Sequence, residues 1–446
     1  MTPEELHRTG LARGLFQMTW PMLFGVVSLL GFQLVDSAFI GQLGARPLAA
    51  LGFTIPFMQL VIGTQVGIGI ATTALVSRAL GGGEGNRARR LCGLVVITGA
   101  GIVLALVLAL WLVREQAVTL LGAERELLPL IRAYWAPWLA SAWMGAFLYF
   151  GYSVLRAHGN TRIPGLWMVL TSLLNLVLDP LYIFVFGWGL PGAAWATLTA
   201  FAAGTLAVYP ALYRRGCIRL DVHALGVLRA LAGIAGISGP AMISQLMPPV
   251  SAMLATRTVA DFGPQAVGAW GLGTRMEFFS IVVVLALTMS LPPLVGRLRG
   301  AGDVETIRRL VRLAITFVIA WQLAIAILWF ALSAPLAGLL SADTAVATRL
   351  ADYLRLVPWS FGGLGLTMIM VSVNNALGLP LRAMVTSALR LFACYLPALW
   401  LGAQLIGLTG VFAGALAGNL AAGAVAWSLY RAGIRGLREP DGETTP

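Results

Sequence analysis

The chain has 446 residues, of which 59% are hydrophobic and only 11% are charged, and its mean hydropathy is +0.85. This composition excludes a water-soluble protein and leaves room for about a dozen membrane helices of ~20 apolar residues each, with no separate catalytic domain outside the membrane. The net charge of +12 does not indicate nucleic-acid binding, because the arginines that carry it are scattered among short loops, where they orient membrane helices.

Twelve apolar spans are predicted, six in each half of the chain. They are 16–41, 49–77, 91–113, 133–156, 162–186 and 191–213, followed by 228–258, 266–295, 310–334, 352–376, 380–403 and 408–430. An even number of spans places both termini on one side of the membrane. The segments on that side carry 21 arginines and the opposite segments carry 7. The positive-inside rule therefore predicts an inner-membrane protein with both termini in the cytoplasm.

The two halves resemble each other at an offset of about 219 residues. Residues 42–52 align with 262–271, residues 77–84 with 296–303, and residues 189–193 with 407–411. Because each half has an even number of spans, the two repeats share one orientation in the membrane. The sequence predicts an all-α membrane protein in which two pseudo-symmetric six-helix bundles, 1–219 and 220–446, surround a central cleft. The alternative is a duplication that only builds a scaffold.

Two acidic residues of the first half, Asp36 and Asp179, lie inside predicted spans. A carboxylate there is costly, and such residues typically serve a function. Asn175 is four residues before Asp179, so both face one side of a helix. Pro180 disfavours helical geometry at Asp179 and removes one backbone hydrogen bond, which frees a carbonyl group.

The depth of these residues in the membrane indicates that they meet. At ~1.5 Å per residue, Asp36 lies roughly 8 Å, Thr197 roughly 9 Å and Asp179 roughly 10 Å from the outer ends of their spans. Asn175 lies one turn deeper. The four residues are predicted to form an oxygen cluster that binds H⁺ or Na⁺. Two adjacent carboxylates in a low dielectric cannot both ionise cheaply, so they favour a shared proton. The alternative is that the acids only stabilise helices.

The histidines and the second half restrict ion coupling to these carboxylates. His7, His158 and His223 fall in predicted cytoplasmic segments, so no imidazole relay is expected in the membrane. Ala255 occupies the position that corresponds to Asp36, so the second half lacks the matching acid.

Glu277 and Arg390 both lie near the middle of predicted spans of the second half. We expect the two side chains to form a structural ion pair. The alternative is that Glu277 contacts a cationic substrate.

Several short stretches together carry a family resemblance. They are Trp20-Pro21, Val35-Asp36, residues 40–44, 155–161, 175–180, 192–197 and 273–277. With these stretches the chain resembles the multidrug and toxic compound extrusion (MATE) transporters over nearly its whole length. The resemblance implies two six-helix lobes around a V-shaped cleft, and export of amphipathic, often cationic, compounds against entry of H⁺ or Na⁺. It also implies that the family's cation site carries over onto Asp36, Asn175, Asp179 and Thr197.

The chain departs from some members of this family in the second half. Where those members have acids in the seventh and tenth helices, this chain has Gln245, Pro248, Asn374 and Asn375. The departure favours the DinF-like branch of the family and argues against a cation site in the second half.

These observations predict a cation-coupled secondary antiporter that exports drugs and similar organic compounds by alternating access. The alternative is a flippase of a lipid-linked precursor with a related architecture. An enzyme is not expected, because the spans contain no histidine and the chain contains no HExxH motif. No cofactor, nucleic acid or metal is expected beyond Na⁺ at the oxygen cluster. The expected partners are a small organic substrate and the lipid bilayer, and the chain is expected to be monomeric.

Overall fold

The computed structural model describes residues 3–122, 125–221 and 226–436, and this part of the chain contains helices and no strand. The first seven helices are α1 (Pro3–Thr9), α2 (Leu11–Gln42), α3 (Ala45–Gly81), α4 (Gly85–Leu120), α5 (Leu128–Ala157), α6 (Arg162–Pro180) and α7 (Gly189–Arg214). The remaining nine are α8 (Val227–Ala260), α9 (Pro264–Ser280), α10 (Val282–Gly300), α11 (Val304–Leu340), α12 (Thr344–Leu356), α13 (Phe361–Leu377), α14 (Pro380–Ala388), α15 (Leu396–Ile406) and α16 (Leu408–Gly436). His223 lies outside the described residues.

Twelve helical stretches of the described residues are long and apolar enough to cross a membrane, which confirms the all-α membrane class and the twelve predicted spans. Some helices extend past the predicted ends: Ala45–Gly81 replaces 49–77, and Gly85–Leu120 replaces 91–113. The extra turns carry polar and charged residues, which end a hydropathy pattern but do not end a helix. Two short 3₁₀ segments, Arg125–Leu127 and Val357–Ser360, precede α5 and α13.

Glycines with positive φ end helices or link them at matching places in the two halves. The matching pairs and their φ angles are Gly44 (109°) with Gly263 (92°), Gly83 (79°) with Gly302 (77°), Gly159 (78°) with Gly378 (81°), and Gly189 (56°) with Gly407 (68°). Residues with a side chain rarely adopt these angles, so glycine is required at each turn. The internal repeat therefore extends from sequence to backbone conformation.

The contacts between residues divide the chain into two compact units, Met1–Met242 and Ile243–Pro446, so α8 contributes to both. The halves predicted from the repeat, 1–219 and 220–446, remain a prediction, because they follow sequence similarity whereas this division follows contacts. In the first unit α2 packs along α6 and α5 packs along α7. In the second unit α13 and α15 pack along α16.

Two spans change from α-helix to π-helix next to predicted site residues, one after Asp179 and the other at Arg390. A π-helical segment, Leu181–Val185, follows α6 directly, and a second, Leu389–Tyr395, joins α14 to α15. Such segments insert one extra residue into a helical turn and are frequent at functional sites.

The helix formed by α9 and α10 is interrupted for one residue at Ile281. The carbonyl oxygen of Ser280 accepts a hydrogen bond from Gln322 Nε2 of α11 at 3.1 Å, and the Ser280 hydroxyl accepts one from Trp329 Nε1 at 2.8 Å. Side chains of α11 therefore satisfy the polar groups at the interruption, as a break inside a membrane requires.

Candidate ion-coupling site

The site begins where proline interrupts the backbone pattern of the fifth span. Asp179 and Pro180 are the last residues of α6, and the π-helical segment starts at Leu181. Proline cannot donate the hydrogen bond that an α-helix requires at that position, so the chain changes its pattern of pairing. The nitrogen of Phe186 then bonds the carbonyl oxygen of Leu181 five residues earlier, at 2.9 Å. Asp179 is thereby placed at the junction of two helix types, and its side chain is fully buried.

A glycine in the sixth span allows α7 to approach this junction closely. A Cβ atom on Gly192 would lie 2.8 Å from the carbonyl oxygen of Tyr182 and 3.1 Å from the nitrogen of Ile183. The first distance is shorter than real Cβ atoms show and its partner is backbone, so a side chain at residue 192 would push the two segments apart. The close approach places Thr197, one and a half turns further along α7, against Asn175 of α6.

Asn175 links Thr197 to Asp179 through its side-chain amide. With its nitrogen turned toward Asp179, the amide donates to both carboxylate oxygens, at 2.8 and 3.0 Å. Its oxygen then accepts from the backbone nitrogen of Thr197 at 3.0 Å, and it lies 3.0 Å from the Thr197 hydroxyl, whose single proton is shared with the carbonyl oxygen of Ala193. Asn175 is almost fully buried, so every polar atom of the amide has a partner in a place where an unpaired one is costly.

Asp36 of α2 completes the cluster, because its carboxyl group lies close enough to that of Asp179 for the two to interact. Two carboxyl groups can form a hydrogen bond with each other only when one of them carries a proton. The second oxygen of Asp36, Oδ1, is buried and has no hydrogen-bond partner among the described residues. The arrangement is suited to holding one proton between the two acids, and it presents one buried oxygen that has no partner among the described residues.

The contact between α2 and α6 depends on two glycines that face the partner helix. A Cβ on Gly165 would collide with the carbonyl group of Pro21, and a Cβ on Gly25 would lie 3.0 Å from the sulfur of Met168. Small residues at such crossings let helix backbones approach closely in a membrane. At the other end of the pair, the ring of Phe39 packs edge-on against Phe184 of the π-helical segment.

The four residues predicted from depth, Asp36, Asn175, Asp179 and Thr197, are thus brought together within the first unit. Sequence reasoning missed a fifth residue, Tyr134 of α5, which is buried and lies within electrostatic range of both carboxylates. Counting from the sequence could not find it, because the predicted span begins at residue 133, whereas α5 begins at Leu128 and places Tyr134 ~9 Å from its outer end, at the depth of the acids.

Glu277 and Arg390, the other predicted site residues, belong to the second unit and lie within electrostatic range of each other. No direct ion pair joins them among the described residues. Glu277 Oε2 instead accepts a hydrogen bond from the hydroxyl of Tyr353 at 3.2 Å. Ala255, the counterpart of Asp36, is buried. In the described ranges no three His, Cys, Asp or Glu side chains are grouped so as to hold a metal ion.

Comparison with known proteins identifies the family. The family model described as MatE matches residues 21–181 and 240–401. The FAD transporter of Shewanella oneidensis is 31% identical over 407 residues, 90% of each chain, and the multidrug export protein MepA of Staphylococcus aureus is 22% identical over 424 residues, 92% of each. The structure of the Vibrio cholerae MATE transporter VcmN in the bent form is 52% identical, with a TM-score of 0.94, over 96% of this chain and 98% of VcmN. The chain therefore belongs to the MATE family, whose members are transporters and not enzymes.

Proposed function

We propose that the protein is a secondary antiporter that exports amphipathic organic compounds, often cationic, from the cytoplasm in exchange for an entering cation. The observation that carries this proposal is that the carboxyl groups of Asp36 and Asp179 lie close together inside the membrane-spanning part of the first unit. Neither acid is needed to close a helix end, and both sit where a charge is costly. A site that gains and loses a cation is the function that best accounts for them.

The coupling ion is H⁺ in this proposal, with Na⁺ as the alternative that the same oxygen atoms would accept. Two carboxyl groups this close cannot both ionise cheaply in a low dielectric, and this favours a shared proton and hence H⁺. When the site opens outward, a proton enters and joins the acids, and when it opens inward the proton leaves. A membrane potential of ~100 mV supplies about 2.3 kcal/mol per charge moved, roughly a fifty-fold gradient of substrate.

The relatives support an exporter over the flippase alternative. MepA is named a multidrug export protein, and the Shewanella protein is named an FAD transporter, so both carry organic compounds. We further propose a monomer in the inner membrane. Both termini lie in the cytoplasm in this proposal, as the distribution of arginines predicts.

The test is uptake by purified protein in liposomes, with a fluorescent organic cation as substrate. A pH jump and a Na⁺ jump are applied separately, and we expect the pH jump to drive transport. Asp36→Asn and Asp179→Asn should each abolish the ion-driven component. Asp261→Asn, which neutralises an exposed acid outside the cluster, is the matched control and should transport normally. Ion-driven transport that survives Asp36→Asn would refute the site.

A further inference from the structure

Arg390 is an arginine inside a membrane span, and no hydrogen bond or ion pair to its side chain is seen among the described residues. Its side chain is half-buried, and its Nε atom is buried with no hydrogen-bond partner among the described residues. Glu277 and Tyr395 are within electrostatic range, yet neither bonds to it directly. A guanidinium group carries five N–H donors, and leaving them unpaired inside a membrane is costly.

Arg390 cannot escape this cost by reaching the membrane surface. It is ten residues after Pro380, where α14 begins, so it lies ~15 Å along the helix from the nearer end of the span. Arginines near helix ends extend their side chains to the interface, but one near mid-depth is too far from it. Such a residue is expected to face water or a binding partner.

The nearby acid is held by another residue. Glu277 bonds the hydroxyl of Tyr353, whose ring fits against Gly273, one turn before Glu277, where a Cβ atom would lie 2.6 Å from the ring. The Tyr353 ring is also packed edge-on against Trp270 and Phe412, at 5.7 and 5.5 Å between ring centres. All three rings are buried, so the position of Tyr353 is fixed. Tyr353 in turn holds the Glu277 carboxylate within electrostatic range of the Arg390 guanidinium, but not in an ion pair with it.

The π-helical segment places a second donor beside Arg390. Arg390 and Tyr395 are five residues apart, and in an α-helix, at ~100° per residue, they would point about 140° away from each other. In the π-helical segment Leu389–Tyr395 each turn takes in more residues, so residues five apart point to more nearly the same side, and the two side chains interact. Gly418 of α16 makes room for the segment, since a Cβ there would lie 3.0 Å from the Cys394 carbonyl oxygen.

We propose that Arg390 and Tyr395 bind an oxyanion, a carboxylate or phosphate group, of the transported compound, so that the substrates include zwitterionic and anionic amphipaths. Guanidinium and phenol groups donate hydrogen bonds to an oxyanion with good geometry. Glu277 lowers the affinity for the anion, because its negative charge is close, and so makes release easier. The inference rests on the proposed export function and names one class of its substrates.

The experiment measures equilibrium binding of rhodamine B, which carries a free carboxylate, and of its ethyl ester, which does not. Fluorescence anisotropy is recorded with the full chain in phosphatidylcholine nanodiscs, and empty nanodiscs serve as the blank. Arg390→Gln should weaken rhodamine B binding by ~10-fold or more and leave the ester unchanged, as expected for a lost charge-assisted hydrogen bond. Tyr395→Phe should produce a smaller loss of the same kind.

Glu277→Gln tests whether the charge of Glu277 weakens or strengthens binding of the dyes. In this proposal it strengthens rhodamine B binding, because a repelling charge is removed. If Glu277 bound the cationic part of the substrate, the same change would weaken binding of both dyes, and the proposal would be wrong. Arg275→Gln, an exposed arginine on α9 next to Glu277, is the matched control and should change neither dye.

Arg390→Lys guards against a variant that fails to fold, since lysine keeps the charge and should retain part of the preference for rhodamine B. Equal binding of both dyes by the wild-type protein, or equal losses of both in Arg390→Gln, overturns the proposal. Replacing part of the lipid with phosphatidylglycerol separates two sources of the oxyanion. Competition with rhodamine B would assign the site to a lipid headgroup and overturn the substrate claim, and no competition supports an exported compound.

Failure of the further inference is distinguishable from failure of the proposed function. Dye binding is measured without an ion gradient and does not involve Asp36. If ion-driven transport of a cation persists while the two dyes bind alike, only the oxyanion site is wrong. If the dyes are discriminated but no ion drives transport, the antiport mechanism is wrong and the oxyanion site remains.

Discussion

Gly165 of α6 packs directly against the backbone carbonyl of Pro21 in α2, where a side chain of any size would collide. This contact draws the two helices together near one end, and Asp36 and Asp179 meet toward the other. The first acid is on α2 and the second on α6, so their proximity depends on a helix crossing at which neither acid lies.

Gly165→Ala should therefore separate the acids. Overpacking of this kind costs ~1–3 kcal/mol, and the displaced helix would carry Asp36 away from Asp179. We expect a lower melting temperature in detergent together with loss of pH-driven transport. Gly31→Ala, on the partner helix α2 and with open space around its Cβ position, should do neither. Normal transport in Gly165→Ala would show that the crossing does not position the acids.

Asp36 and Asp179 should act as one unit. If they share a single proton, removing either carboxylate abolishes proton carriage, and removing the second costs nothing more. The prediction is that the double variant Asp36→Asn/Asp179→Asn has the same residual uptake in liposomes as each single variant. Two independent sites would instead give single variants with partial coupling and a double variant with less.

Thr197 should matter through Asn175, whereas its neighbour Thr199 should not. The Thr197 hydroxyl bonds the Asn175 amide, while Thr199 bonds only Trp195 in its own helix. Losing one such hydrogen bond costs ~1 kcal/mol, or about five-fold in ion affinity. Thr197→Ala should therefore raise the proton concentration that half-saturates transport about five-fold. Thr199→Ala, measured in the same way, should match the wild-type protein.

The interruption at Ile281 should depend on α11 for its stability. Trp329 donates to the Ser280 hydroxyl, so Trp329→Phe keeps the ring and removes one hydrogen bond worth ~1 kcal/mol. Thermal unfolding in detergent should occur at a lower temperature than for the wild-type chain. Trp321→Phe, a half-exposed tryptophan on the same helix, provides the comparison and should leave the transition unchanged.

Orientation in the membrane can be tested with single cysteines on opposite sides. Ala342→Cys, between α11 and α12, should react with an impermeant maleimide added to whole cells, and Ala301→Cys, between α10 and α11, only after the cells are opened. Both positions are exposed. Both variants are made in a chain in which the three native cysteines, Cys92, Cys217 and Cys394, have been replaced. Of these, Cys217 is already slow to react, because burial raises the pKa of its thiol. The reverse labelling pattern would place the termini outside.

Much of the candidate site could be predicted because, in a membrane helix, the position of a residue along the chain gives its depth in the bilayer. Asp36, Asp179 and Thr197 were placed at one depth by counting residues from the end of each span, and the bilayer sets both the span length and the direction. The same constraint explains why the twelve spans and the internal repeat could be predicted from composition and spacing alone. The pairs of positive-φ glycines are the conformational counterpart of that repeat.

What the sequence could not determine is which way each side chain points around its helix. Tyr134 lies within electrostatic range of Asp36 and Asp179, and Glu277 bonds Tyr353 in place of a direct pair with Arg390. These arrangements depend on close helix crossings and on a π-helical segment. These features depend on atoms from distant parts of the chain and have no local signature. Depth and helix content were therefore properties of the sequence by itself, whereas the partners of each buried polar group were decided only when the helices packed.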